Sequence, residues 1–205
     1  MTALCPALPI YLAASKSEPM ADAAEPTDEA LVAAARAGDD DAFATLVRRH
    51  KRRVFGTASR FARDDHQLDD LAQEVFVRVF KNLAQFRHDA PFEHWLARIT
   101  VSACYDFLRK ERRHREQVPL DAIVFELHDT TVDSAIAAGR ARELLAWAMH
   151  QLTPDERLII TLCEIEERPM KEVAALTDWS EANCKIRAFR ARQSLKQILE
   201  KHHES

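Results

Sequence analysis

Asp69, Asp70 and Glu74 place three carboxylates within six residues, and His88-Asp89 is the kind of dipeptide that begins a phosphohydrolase metal pair. Each lacks the second ligand cluster that a divalent-cation or hydrolase site requires. Cys5, Cys104, Cys163 and Cys184 include no C-x-x-C and no Cys/His cluster at zinc-ligand spacing. No glycine-rich phosphate loop and no nucleophile motif occurs. These residues predict no enzyme, no metal and no cofactor. The remaining chemistry is that of contact. Arg109, Lys110, Arg112, Arg113 and Arg115 put five cations into seven residues. Compensating a helix dipole takes one or two cations, so the excess points to phosphate. Lys185, Arg187, Arg190, Arg192 and Lys196 form a second cationic run, interrupted by Ile186, Phe189 and Leu195.

The elements that must carry these groups are helices. The chain has 205 residues, only three Gly, and Ala, Leu, Glu, Arg and Lys in abundance. Strand-like alternation is hard to find. The net charge of −4 hides a segregation of acids toward the N-terminal part and cations toward two later helices. A nucleic-acid binder needs a basic face, not a basic total. Leu68, Leu71, Ala72, Val75, Phe76, Val79, Phe80 and Leu83 recur at three- and four-residue steps, the apolar stripe of an amphipathic helix. Asp70, Gln73, Glu74, Val77 and Lys81 repeat on another face. Generic charge suffices for a solvated surface, whereas acid, amide, acid and an exposed Val suggest docking.

In chain order, residues 1–26 read as a disordered extension rich in Ala and Pro, and Met20 opens a stretch that would itself serve as a start. Thr27 caps a short helix stopped at Gly38, and Asp39 to Asp41 open a long one. A loop from Gln85 to Pro91 precedes a fourth helix, Phe92 to Arg115. Trp95 and Phe92 on that helix are either core or a platform for unpaired bases. Residues 27–115 make one domain. Residues 116–131 lose periodicity around Pro119 and read as a flexible linker. Residues 132–205 make a second domain. Thr153, Pro154 and Glu156 spell a capping box there. Met170 to Leu176, the turn Thr177-Asp178-Trp179 and a basic helix capped by Ser180 form a helix-turn-helix pattern. Asp178 is among the few residues that tolerate the positive φ of such a turn. The fold class is all-α, with two small helical domains joined by a flexible linker.

Asp70-x-x-Gln73-Glu74-x-Phe76, then Phe92-x-x-Trp95-Leu96-x-x-Ile99, then a basic helix end and a C-terminal helix-turn-helix, resembles the extracytoplasmic-function sigma factors of bacterial RNA polymerase. The likeness runs from about residue 28 to residue 200. It implies that Asp70, Gln73, Glu74 and Phe76 dock on the beta-prime clamp helices of core polymerase. Phe86, Arg87, His88, Trp95, Ser102, Arg109, Lys110, Arg112 and Arg113 would read and open the minus-ten promoter element. Asn183, Lys185, Ile186, Arg187, Phe189 and Arg190 would read the minus-thirty-five element, with the second domain contacting the beta flap. Three positions depart from the family pattern: Ser102 stands for a usual Asn, Glu167-Arg168-Pro169 for a Gly-containing turn, and Ala182-Asn183-Cys184 for small-Thr-Val.

The resemblance also implies control by a separate anti-sigma partner. The alternative is a stand-alone helix-turn-helix regulator whose first domain senses a ligand or dimerises. No run of about 18 apolar residues exists, which excludes a membrane span, and residues 1–15 lack a basic n-region. The expected location is the cytoplasm.

Overall fold

The computed structural model describes residues 26–117 and 134–203, and every regular element among them is helical. The expected N-terminal extension and most of the expected linker lie outside the described residues. Helix α1 spans Asp28–Arg36 and starts where the Thr27 hydroxyl accepts from the Ala30 N–H at 3.3 Å. Gly38, at φ +98°, reverses the chain in a conformation closed to most side chains. The Asp39 carboxylate then accepts from the Asp41 and Ala42 N–H groups, both at 3.0 Å, to open α2, Asp40–Ala58. Asp64 does the same for α3, Asp65–Asn82, accepting from Gln67 N–H at 2.8 Å. A 3-10 turn, Leu83–Gln85, ends α3, and α4 runs Phe92–Gln117, two residues beyond its expected end. Leu46, Val54 and Ala58 of α2, Leu71, Val75 and Val79 of α3, and Leu96, Cys104 and Leu108 of α4 fill the space between them.

The second unit comprises α5, Ser134–Gln151; α6, Pro154–Ile160; α7, Met170–Thr177; and α8, Glu181–His203. A π turn, Thr161–Ile165, continues α6. The expected capping box is present: Thr153 Oγ1 accepts from Glu156 N–H at 3.3 Å, and the Glu156 carboxylate accepts from Thr153 N–H at 3.0 Å. Asp178 ends α7 at φ +58°, as its position predicts, and Ser180 Oγ accepts from Asn183 N–H at 3.2 Å to open α8. Glu167 also stands at positive φ, +52°. Here the chain puts a residue with a full side chain into the left-handed conformation that favours Gly.

The two units touch. Helix α4 packs on α6 and α7, and their buried residues form one continuous cluster. The Tyr105 hydroxyl donates to Asp155 at 2.5 Å, and its ring meets Trp179 edge-on at 6.1 Å. Arg157, only 5% exposed, donates to the Phe61 carbonyl at 3.1 Å. Its guanidinium lies 3.6 Å from Glu111, which also pairs with Arg63 at 3.1 Å. Arg98 reaches Asp178 at 2.6 Å. Sequence patterns separated the domains and gave no sign of this contact.

Candidate protein and nucleic-acid interfaces

Helix α3 presents the first surface. Leu71, Val75 and Val79 face the core, which turns Asp70, Gln73 and Glu74 outward, and all three are exposed. Phe76 is half-buried at the border of the two faces. Phe80 corrects the expected stripe: it is 53% exposed, its ring edge-on to Phe43 of α2 with centroids 5.1 Å apart. The outward face therefore runs Asp70, Gln73 and Phe80, with Val77 half-buried among them rather than exposed as expected, acidic at one end and aromatic at the other. Glu74 is less free than its neighbours. Arg78 holds it at 2.6 Å and also reaches Asp106 of α4 at 2.6 Å. Burial works against the Arg78 charge, but the two carboxylates outweigh it and raise its pKa. Asp70 pairs with His66 at 3.2 Å.

The loop after α3 and the outer side of α4 make the second surface. Phe86 is a correction, because it is 4% exposed and belongs to the core. Arg36 fixes the turn above it, donating to the Leu83 carbonyl at 2.7 and 2.9 Å and to the Phe86 carbonyl. Around Phe86 gather Trp95 at 5.2 Å, Phe92 at 5.7 Å and His88 at 4.5 Å. Trp95 packs its ring on both phenylalanines and remains half-exposed, so the core does not enclose it. Arg87 and His88 project from the loop, and His88 takes a positive φ of 61°. Arg109, Lys110 and Arg113 are exposed toward the end of α4, with the Arg109 guanidinium 5.6 Å from the Tyr105 ring. Arg112 is half-buried, and its charge helps depress the Glu156 pKa. Burial opposes that depression, and hydrogen bonds from Ser194 and Thr153 overcome it. Ser102 is exposed beside Arg98 and Tyr105, at the rim of a cleft closed on the other side by Leu176, Asp178 and Trp179.

Helix α8 makes the third surface. Cys184, Ala188 and Ala191 face the core, so Ile186 and Phe189 stand on the opposite side, 53% and 62% exposed. Lys185 and Arg190 flank them. Arg187 departs from expectation. Its guanidinium pairs with Asp155 and lies 4.3 Å over the Trp179 ring, while Nε donates to Asn183 Oδ1 at 2.9 Å. Arg187, expected as a base reader, is thus turned toward Asp155 and Trp179, while Asn183 stays exposed with its amide oxygen engaged by Arg187.

Sequence reasoning missed the groups that join the two units: Arg63, Tyr105, Glu111, His150, Asp155 and Arg157. Only Tyr105 carried a signal, as an aromatic in a basic helix. Burial, then the Arg157, Arg63 and Arg115 charges, push the His150 pKa down to about 3. Burial also lowers Arg157 to about 10, against the attraction of Glu111. Of the described cysteines, Cys104 and Cys184 are buried and Cys163 is half-buried. Burial pushes the Cys163 thiol up to about 11 and raises Cys184 as well. Among the described residues no group of His, Cys, Asp and Glu is placed to hold a metal ion, and no helix is long and apolar enough to cross a membrane.

Residues 46–114 match the family described as Sigma-70 region 2, and residues 142–195 match Sigma-70, region 4. The ECF RNA polymerase sigma factor SigE of Mycolicibacterium smegmatis is 32% identical over 202 residues, covering 96% of this chain and 78% of the relative. The ECF RNA polymerase sigma-E factor of Escherichia coli is 29% identical over 177 residues, covering 82% of this chain and 92% of the relative. Among solved structures, CnrH in complex with the cytosolic domain of CnrY is similar with a TM-score of 0.54 and 27% identity, over 85% of this chain and 97% of that one. The first two surfaces lie within the region 2 match and the third within the region 4 match. The chain belongs to the extracytoplasmic-function sigma factors of RNA polymerase.

Proposed function

We propose that this sigma factor works by contact alone, with no catalytic residues of its own, and that its three surfaces divide the labour. The face Asp70, Gln73, Val77 and Phe80, with Glu74 and Phe76 at its border, docks on the beta-prime clamp helices of core polymerase. Residues 27–117 form the unit that docks and opens the minus-ten element. Trp95, Arg87, His88, Ser102 and the cations Arg109, Lys110, Arg112 and Arg113 bind the melted strand. Residues 132–205 form the unit that reads the minus-thirty-five element through Lys185, Ile186, Phe189 and Arg190 and leans on the beta flap. Arg187, paired with Asp155 and stacked on Trp179, braces this helix, and Asn183 accepts from it. Unpairing bases requires a few kcal/mol, and stacking each captured base returns roughly 1–3 kcal/mol. Duplex contacts through α8 hold the protein in place while this happens.

The observation that carries the reading is the outward face of α3, where Phe80 stands 53% exposed beside a row of acid and amide groups. An exposed ring in line with acid and amide groups gives a docking partner an apolar anchor beside hydrogen-bonding and charged contacts. The reading places the protein in the cytoplasm, where core polymerase is. It also assigns control to an anti-sigma partner, a proposal supported by CnrH, which is held by the cytosolic domain of CnrY. The test is binding of purified core polymerase by the full chain and by a Gln73→Ala/Glu74→Ala variant. The variant should bind more weakly with its helicity unchanged. Equal binding removes the docking role from this face.

A further inference from the structure

A helix that reads DNA through hydrogen bonds shows polar tips to the groove, but the face of α8 opposite its core side carries two large apolar residues, Ile186 and Phe189, 53% and 62% exposed. They sit three residues apart, on the side opposite Cys184 and Ala188, so neither belongs to the core. Lys185 and Arg190, exposed on either side, supply cations where phosphates would pass. Of the polar candidates, Arg187 is held by Asp155 and stacked on Trp179, and exposed Asn183 spends its amide oxygen on Arg187. What remains at the centre of the face is an apolar pair in a cationic frame.

In the major groove one base-pair feature is apolar, the C5-methyl of thymine. Three helical residues rise about 4.5 Å, close to the roughly 3.4 Å spacing of successive base pairs along a strand. We infer that Ile186 and Phe189 read thymine methyl groups on neighbouring base pairs, so that part of the upstream promoter element is recognised as methyl-bearing A·T pairs rather than through hydrogen bonds. This rests on α8 being the duplex-reading helix. The pair then supplies the methyl-dependent part of the specificity, beside whatever base edges and phosphates Lys185 and Arg190 contact.

The test uses holoenzyme assembled from core polymerase and the full chain, offered a library of duplexes randomised over the upstream element. Duplexes enriched by the wild-type holoenzyme are remade with deoxyuridine in place of thymidine in that element, which removes the methyl groups and nothing else. Wild-type holoenzyme should bind each uracil duplex more weakly, by about fourfold per contacted methyl, the equivalent of ~0.8 kcal/mol. Ile186→Ala and Phe189→Ala, which leave the core intact, should bind thymine and uracil duplexes more nearly alike. If wild-type holoenzyme enriches defined sequences but binds both forms equally, the methyl reading is wrong and α8 reads DNA in another way. If Arg190→Ala and Ile186→Ala leave the enriched sequences and their affinity unchanged, α8 does not read the duplex, and both inferences fall. Loss of binding to a protein partner with promoter affinity unchanged would assign the pair to that partner and overturn the methyl reading.

Discussion

Val79 and Phe80 are neighbours on α3, yet one is 1% and the other 53% exposed. Successive helical residues point about 100° apart, so an apolar residue one step past the core face turns into solvent. Spacing of three and four admits both Phe76 and Phe80 to the stripe, and only the position of α2 decides which of them it covers. The same limit hid the fate of Phe86, an aromatic in a loop that the neighbouring Arg36, Phe92 and Trp95 draw into the core. Phe80→Ala should therefore weaken binding to core polymerase by about 1–2 kcal/mol while leaving the melting temperature nearly unchanged. A titration against core polymerase and a melting curve on the same sample check both halves; a large fall in melting temperature would return Phe80 to the core. Glu167 offers the opposite case, a surface residue held at φ +52°. Glu167→Gly relieves that strain and adds freedom to the unfolded chain, two effects of opposite sign. The strain is the larger for a non-Gly residue, so the variant should be stabilised by up to ~1 kcal/mol in urea unfolding.

The helices themselves were legible, because their starts are local. Thr27, Asp39, Asp64, Thr153 and Ser180 all accept the capping hydrogen bonds that their side chains and positions predict. Asp178 takes the left-handed turn of the helix-turn-helix for the same local reason. Thr153→Ala removes half of a capping box and should destabilise the second unit by ~1 kcal/mol, read from the shift of its urea midpoint. What the elements do to each other was less legible. Arg187 looked like a base reader because Asp155, 32 residues earlier, cannot be aligned with it by periodicity. Trp95 is similar: its contacts with Phe86 and Phe92 depend on how the loop folds back. Trp95→Ala should lose roughly 1–3 kcal/mol of stability, less than a fully buried Trp, and should also weaken binding to single-stranded non-template DNA. Equal losses for single-stranded and duplex DNA, together with a collapse in melting temperature, would show a packing role alone.

At the scale of the whole molecule, two units that sequence patterns separate are joined by α4 against α6 and α7, with Arg157, Glu111, Arg63 and His150 in the seam. Three arginines already surround His150, so charging it there is unfavourable. An unfolded imidazole takes up a proton near pH 6.5, whereas this one resists until about 3. Stability is then full above pH 6.5 and falls as pH drops from 6.5 toward 3, because the unfolded state binds more protons in that window. Between pH 7.5 and pH 5 the loss should be on the order of 1 kcal/mol after allowance for solvent screening. Urea midpoints at the two pH values should show it, and His150→Gln should reduce it; an equal pH dependence in both proteins would place the cause elsewhere. In the function proposed above, this chain gives core polymerase promoter specificity and strand opening by contact alone. The most direct measurement is run-off transcription by purified core polymerase on genomic fragments, with permanganate detection of unpaired thymines. Discrete start sites and unpaired bases should appear only when the chain is added, and should be lost with Gln73→Ala/Glu74→Ala. Sequence-specific duplex binding by the chain alone, with no effect on transcription by core polymerase, would contradict it and leave a stand-alone helix-turn-helix regulator in its place.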